Sequence, residues 1–229
     1  ARIQYVEVVD LDPQGIAGTG FGVDLSSRTM TIYDALLGDE LVENVICKSA
    51  VRNLDLITST VDLSAAELDL KDTKNREYVL QNLLANIKTD YDYVIIDCQP
   101  SLGLLTINAL AASNSIIIPM QCEFFALEGL AHLLRTISLV KKGINFNIEI
   151  KGILLTMFEK RNKLSVQVEQ EVRQHLGAKV YKNVIPRNVR LSEAPSHGKP
   201  AIIYDMKCAG SKAYLALAKE IIKNNKQKL

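Results

Sequence analysis

The sequence predicts an α/β fold, with a doubly wound, mostly parallel sheet and helices on both faces. Two observations predict it. Short apolar runs alternate with segments of helical periodicity along nearly the whole chain, as in successive β-α-β units. Most of the runs are continuously apolar, which is typical of strands covered on both faces. Because such units connect through right-handed crossovers, we expect the strands to lie side by side.

Five apolar runs are predicted to be strands. They are short and rich in Val, Ile and Leu, and turn-forming residues follow several of them. In chain order they are Val6–Asp10, Leu54–Thr58, Tyr93–Asp97, Ile116–Pro119 and Ile150–Thr156.

Four segments place apolar residues three and four positions apart, which puts them on one face of a helix. In the first of them, Val79, Leu80 and Leu83 share that face. The predicted helices are Asn75–Ile87, Leu127–Val140, Leu164–Leu176 and Gly210–Ile222.

The composition predicts one globular domain over residues 1–229. The chain is 48% hydrophobic and 23% charged, with no repeat or low-complexity linker. Its net charge of +1 excludes a strongly basic coat, so a contact with nucleic acid would need a local patch. No apolar stretch approaches the roughly 20 residues that cross a bilayer. The four scattered cysteines indicate free thiols in a reducing cytosol, and we therefore predict a cytoplasmic location.

Carboxylates follow two of the predicted strands directly. Asp10 ends the first strand and Asp12 stands two residues later, and Asp97 ends a second strand. Ligands of open parallel sheets bind at the carboxyl ends of the strands. Phosphoryl transfer needs a metal ion, an oriented water and charge stabilisation there, and carboxylates can hold Mg²⁺, usually through water.

The segment Val8–Gly15 resembles the second acidic motif of ParA-type partitioning ATPases, a branch of the P-loop NTPases. The similarity to the ParA/Soj family extends from Val8 to about Ile222. In one departure, Gln99 stands where the family usually has Pro, which bears on the geometry of the loop after Asp97. The other segments that carry the resemblance are Tyr91–Ala109, Ile118–Gly129, Gly152–Met157 and Val184–Pro200.

The resemblance implies an ATP-dependent dimer that binds DNA non-specifically and associates with the nucleoid. A ParB-type partner would stimulate hydrolysis and so move chromosome or plasmid. By residue-for-residue match, ATP and Mg²⁺ are the implied cofactors, with Asp12 and Asp10 as catalytic residues and Asp97 and Asp10 as the magnesium site. The implied nucleotide-binding residues are Thr156, Met157, Pro186 and Asn188, and the implied DNA-binding residues are Arg161, Arg190, Arg187 and Lys199.

One central element of that family is not found in the sequence. Its Gly-rich phosphate loop would precede Val8 by about 30 residues, whereas seven residues do so here and Gly-Lys-Ser/Thr occurs nowhere. The resemblance therefore implies an N-terminally incomplete domain without its first strand, P-loop and first helix. We expect residues 1–229 alone to bind ATP weakly and to be inactive, and micromolar Mg-ATP binding measured by calorimetry would contradict this.

Three other functions stay open on the sequence alone. Two of them are a truncated, non-hydrolysing ParA-like remnant or binding partner, and a plasmid-type ParA with its own N-terminal DNA-binding domain. A MinD-like positioning ATPase would end in an amphipathic membrane helix. Residues 223–229 contain one apolar residue, which argues against that function and against a membrane partner.

Three further features have two interpretations each. Glu7 interrupts an apolar strand, so either a basic partner lies nearby or the strand is an exposed edge. Phe124 and Phe125 are either core residues or part of a dimer interface. Cys98 and Cys122 are either free thiols or, as in the nitrogenase iron protein, ligands of a bridging cluster.

Overall fold

The structure is a computed structural model that describes residues 4–87, 89–99, 101 and 103–226. Pro100 and Leu102, two residues of the motif that follows Asp97, lie outside the described residues. The strands are β1 (Val6–Leu11), β2 (Ile46–Lys48), β3 (Leu54–Ile57), β4 (Tyr93–Cys98), β5 (Ser115–Gln121) and β6 (Glu149–Thr156). The α-helices are α1 (Ile16–Gly20), α2 (Ile32–Leu37), α3 (Ala66–Asp69), α4 (Val79–Leu84), α5 (Leu104–Ala112), α6 (Ala126–Gly143), α7 (Lys163–Leu176), α8 (Val189–Glu193), α9 (Ala201–Tyr204) and α10 (Ala209–Lys226). Short 3₁₀ helices cover Leu25–Ser27, Val42–Val45, Val61–Ala65, Arg76–Tyr78, Gly177–Lys179 and Ala194–His197.

The chain divides into two compact units. The first comprises residues 1–113, 139–147 and 195–199, and the second comprises residues 114–138, 148–194 and 200–229. The interpretation of residues 1–229 as a single domain stays a prediction.

The first unit is built on a four-stranded sheet in the order β2-β3-β1-β4. β1 lies in its interior and is parallel to β3 and β4, while β2 is antiparallel to β3. Val9, Leu11 and Ile57 are fully buried in a core to which Leu80 of α4 also belongs. This burial explains why the sequences of β1 and β3 are mainly apolar.

The second unit contains the parallel pair β5 and β6. Ile153 and Leu155 of β6 are fully buried and pack with apolar residues of α6 and α7, among them Ile137 and Val168. A smaller cluster beneath α10 joins Leu154 to Tyr181 and Leu217. The apolar faces predicted for these three helices therefore pack as amphipathic helices should.

The α/β class, the mostly parallel strand arrangement and the helices on both sides are confirmed. All five predicted strands are present, with ends that differ by at most two residues. The predicted helix Asn75–Ile87 is instead a 3₁₀ turn followed by the six-residue α4. No described helix is long and apolar enough to span a membrane.

The position of Glu7 contradicts the interpretation of its strand as an exposed edge. Glu7 lies in the central strand β1 with 0% of its surface exposed. Neither of its carboxylate oxygens accepts a hydrogen bond, because the Tyr91 hydroxyl that faces it donates its single proton to Asp55 Oδ2 at 2.8 Å. Lys48 lies near but pairs with the same Asp55 oxygen at 2.6 Å. Burial therefore raises the pKa of Glu7 to about 7, and Glu7 favours its neutral form.

We expect this carboxyl group to make stability fall as pH rises. A raised folded-state pKa gives stability that is complete below the ordinary value of 4.5 and is lost as pH rises through about 7. The loss amounts to about 3 kcal/mol. Urea unfolding at pH 5 and pH 8 measures it, and Glu7→Gln should flatten the difference. An equally steep pH dependence in Glu7→Gln would show that other groups cause it.

Candidate functional site

The carboxyl edge of the first sheet brings two of the predicted site residues together. Asp10 of β1 and Asp97 of β4 are register partners on adjacent parallel strands. Asp10 is buried, and its two carboxylate oxygens accept the backbone N–H groups of Asp12 at 3.2 Å and Gly18 at 3.3 Å. Asp97 is exposed. Asp10 therefore fixes the segment from Asp12 to Gly18, whereas Asp97 is accessible to a ligand.

Both carboxyl groups have raised pKa values, for partly different reasons. For Asp10 the cause is burial, which the two backbone N–H groups oppose. For Asp97 the first cause is desolvation by the surrounding protein, although the residue is exposed, and repulsion from Asp10 and Asp12 follows. A cluster of like charges of this kind favours a bound cation.

Asp12 lies in the tight loop between β1 and α1, where two donors hold its side chain. Its Oδ1 accepts the backbone N–H of Gln14 at 2.9 Å and the Nε2 amide of Gln99 at 3.0 Å. Its carbonyl oxygen accepts the Ser59 hydroxyl at 2.5 Å. Gln99 stands where the family usually has Pro. Because its side chain donates a hydrogen bond to the predicted catalytic residue Asp12, Gln99 is part of the site.

Arg28 also binds the loop between β1 and α1, and 7% of its surface is exposed. Its guanidinium donates to the carbonyl oxygens of Gly15 (2.8 Å), Ser59 (3.1 Å) and Val23 (2.9 Å), and to the Thr19 hydroxyl (2.9 Å). Gly15 has a φ of +63°, and a Cβ there would come within 2.6 Å of this guanidinium. The loop that carries Asp12 therefore requires glycine at position 15.

The donor set at this edge suits magnesium held largely through water. Both Asp10 oxygens already accept amide hydrogen bonds, so Asp97 is the side chain open to direct contact. Mg²⁺ commonly keeps several waters and takes one or two carboxylates. In keeping with that sparse set, the described residues contain no group of three or more His, Cys, Asp and Glu side chains able to hold a metal ion.

The predicted base-pocket residues come together in the second unit, at the end of β6. Thr156 is the last residue of β6, and Met157 follows in the left-handed conformation with a φ of 52°. The next residue, Phe158, forms a parallel bridge with Pro186. Asn188 caps α8 by accepting the Arg190 N–H at 3.1 Å. These contacts place the four residues on two adjoining segments, and nucleotide binding by them stays a prediction.

The predicted DNA-binding residues differ in their surroundings. Arg161 is exposed and forms no ion pair within the described ranges. Arg190 pairs with Glu193 at 2.8 Å and Asp205 at 3.7 Å. Arg187 lies 4.0 Å from both Glu123 and Glu159. Lys199 is exposed but belongs to the first unit, whereas the three arginines belong to the second.

The interpretation of Phe124 and Phe125 as core residues is wrong. Their side chains are 70% and 76% exposed, and the two rings stack edge to face with centroids 5.3 Å apart. The thiols of Cys98 and Cys122 are free, and burial raises the pKa of each to about 11. Both are therefore protonated near neutral pH.

Sequence reasoning missed Arg28 and Ser59 as parts of the site. Ser59 could have been found, because it closely follows the apolar strand β3, whose carboxyl end lies at the same edge as Asp10. Arg28 gives no such signal. It lies in a loop and acts on carbonyl oxygens, which every residue has.

The fold defines a class, the α/β fold of the P-loop NTPases. The structure superposes on cobyrinic acid a,c-diamide synthase from Mycobacterium smegmatis with bound ATP analog and magnesium. The TM-score is 0.87 and the identity 33%, over 99% of this chain and 85% of that one. MinD from Pyrococcus horikoshii, complexed with Mg-ADP, shares the fold with a TM-score of 0.80 at 23% identity, over 99% of this chain and 86% of that one.

Sequence comparisons narrow the class to a family. An AAA domain model, AAA_31, matches residues 3–150. The sporulation initiation inhibitor protein Soj of Bacillus subtilis is 52% identical over 219 residues, which are 96% of this chain and 87% of that protein. The chromosome partitioning protein ParA of Caulobacter vibrioides is 49% identical over 227 residues, covering 98% and 85%. The chain belongs to the ParA/Soj family of chromosome-partitioning proteins.

Proposed function

We propose that this chain is the ATPase of a partition system: it dimerises with ATP, binds DNA non-specifically and positions chromosome or plasmid through partner-stimulated hydrolysis. The observation that carries the proposal is the anchored carboxylate of Asp12 beside Asp10 and Asp97 at the carboxyl edge of a parallel sheet. Relatives named for chromosome partitioning, with identities up to 49%, support it.

Each acidic residue has a separate task in this proposal. Asp12 accepts a hydrogen bond from the attacking water and orients it toward the terminal phosphate. Asp10 holds the loop through the N–H groups of Asp12 and Gly18. Asp97 is the carboxylate open to the magnesium shell, and magnesium, when bound, neutralises charge on the phosphate oxygens. Thr156, Met157, Pro186 and Asn188 contact the base.

The exposed aromatic pair supports the dimer. Phe124 and Phe125 present two large apolar side chains to solvent, and aromatic residues are enriched in protein interfaces. In this proposal the ATP-bound homodimer doubles the basic groups that meet DNA. A ParB-type partner then stimulates hydrolysis, and the protein works in the cytoplasm on the nucleoid.

The DNA-binding role makes a specific prediction. In the protein as its full reading frame encodes it, Arg161→Ala with Arg190→Ala should abolish ATP-dependent retention on random-sequence DNA. Arg161 should contribute more, because Arg190 must first leave Glu193 and Asp205. Retention on a DNA-coated surface at several salt concentrations measures this. Arg52→Ala with Lys71→Ala, two exposed positions, serves as the charge-matched control. Unchanged, salt-sensitive retention in the double variant would refute the assignment.

A ParA-like binding partner that does not hydrolyse ATP is the alternative function. Phosphate release from ATP by the same full-frame protein separates the two functions. Mg-dependent turnover supports the ATPase, and its absence together with intact partner binding supports the alternative.

A further inference from the structure

A basic groove lies in the second unit, away from any residue assigned so far. It has a volume of about 760 Å³ and runs between the end of α7, the segment that follows it and the last turns of α10. Its lining contains four cations and one carboxylate. We call it the lysine groove, and it is lined by Arg173, Gly177, Ala178, Val180, Lys182, Asn183, Ala216, Lys219, Glu220, Lys223 and Asn224.

The lysine groove keeps a net positive charge, because four cations line it against one carboxylate, which interacts electrostatically with Lys182. Its single carboxylate, Glu220, accepts three hydrogen bonds, from the backbone N–H groups of Lys182 (2.9 Å) and Asn183 (3.2 Å) and from the Asn183 side chain (2.6 Å). Lys182, Lys219 and Lys223 are exposed and form no ion pair within the part of the chain that is described. Three ammonium groups are therefore available to an external anion.

The lining suits the phosphates of a nucleic-acid backbone. Lysine binds phosphate as a compact point charge, and the one arginine of the lining, Arg173, already pairs with Glu169 at 2.9 Å. No aromatic side chain lines the groove to stack on a base. Lys219 and Lys223 stand one helical turn apart, at about 6 Å, which is roughly two phosphate repeats of a DNA strand.

The lysine groove is separate from the arginines assigned to DNA. Arg161 precedes the start of α7, whereas the groove lies at the end of that helix. Since α7 has 14 residues, the two ends are about 20 Å apart. That distance corresponds to about six base pairs of duplex DNA.

We propose that the lysine groove is a second contact for the phosphate backbone of DNA, made through Lys182, Lys219 and Lys223. The proposal rests on the proposed DNA-binding function and extends it. A duplex longer than six base pairs meets Arg161 at one end of α7 and the groove at the other. The groove contacts phosphates and adds affinity without sequence preference.

The test compares two triple variants of equal charge. One replaces Lys182, Lys219 and Lys223 by Ala, and the control replaces the exposed Lys71, Lys74 and Lys141 of the first unit by Ala. Binding of a labelled random-sequence 24-base-pair duplex is followed by fluorescence anisotropy from 50 to 200 mM salt, with and without Mg-ATP. The groove variant should lose at least tenfold in affinity, and its salt slope should fall by about 2 to 3. The control should stay near the wild type.

Each other outcome overturns the proposal. An unchanged salt slope in the groove variant, or an equal loss in the control, removes the assignment. If the groove variant binds normally while Arg161→Ala/Arg190→Ala does not, the groove fails and the proposed DNA function stands. If the wild type does not bind the duplex at 50 mM salt, both fail. If poly-glutamate at matched charge displaces DNA from the wild type, and the groove variant no longer binds poly-glutamate, the groove serves acidic polypeptides instead.

Discussion

Asp12→Ala is expected to abolish ATP turnover while leaving ATP-dependent dimerisation intact. Only one oxygen of this carboxylate is anchored, by Gln14 and Gln99, and no hydrogen bond to the other is found in the described part of the chain. That oxygen can accept a hydrogen bond from the attacking water. Loss of a residue that activates a nucleophile lowers a rate by roughly 10²- to 10⁴-fold. Phosphate release from the full-frame protein measures turnover, and size-exclusion chromatography with ATP measures dimerisation.

The matched control for this variant is Asp72→Ala, which removes an exposed carboxylate from a turn of the same unit. It should retain turnover within a factor of about two. Turnover that persists in Asp12→Ala would show that another group activates water. A joint loss of dimerisation and turnover would give Asp12 a binding role instead.

Arg28→Ala is expected to destabilise the first unit by about 3 kcal/mol or more. The substitution removes the donor from two buried carbonyl oxygens, those of Gly15 and Ser59, and from the part-buried carbonyl oxygen of Val23. Leaving buried acceptors without donors costs about 1–3 kcal/mol each, less whatever water recovers. Urea unfolding at neutral pH measures the change. Because Asp12 lies in the same loop, turnover should fall as well.

Two comparisons define the role of Arg28. The exposed Arg52→Ala changes the same charge and should stay within about 0.5 kcal/mol of the wild type. Arg28→Lys keeps the charge, but an ammonium group cannot span four acceptors. The free energy of unfolding of Arg28→Lys should therefore lie between those of Arg28→Ala and the wild type. A free energy of unfolding in Arg28→Ala equal to that in Arg52→Ala would mean that water replaces the guanidinium without loss.

The strands were predictable because each is a short run rich in Val, Ile and Leu. Leu54–Ile57 and Tyr93–Cys98 appear nearly where the sequence places them. β2 was not predictable, since three residues with partial burial carry no period. α5 was missed because its residues are apolar all round, and a helix without a polar face has no helical periodicity to detect.

The site was predictable only in its acidic residues. Asp10 and Asp97 end apolar strands, and parallel pairing brings such ends to one edge. The partners that organise them depend on tertiary contacts that no local pattern encodes. Gln99 reaches Asp12 across 87 positions, and Arg28 acts on main-chain oxygens. The sequence left two interpretations each for Glu7 and for the Phe124–Phe125 pair. The exposed fractions of these residues exclude one interpretation in each case.

The central claim is that ATP hydrolysis at Asp12 controls attachment to DNA. It is tested most directly by following DNA retention and phosphate release together, in one preparation of the full-frame protein, before and after adding a ParB-type partner. Our account predicts that Mg-ATP builds up retention, that the partner accelerates phosphate release, and that retention falls as phosphate appears. Retention that is the same without nucleotide, or that persists while phosphate is released, would contradict it.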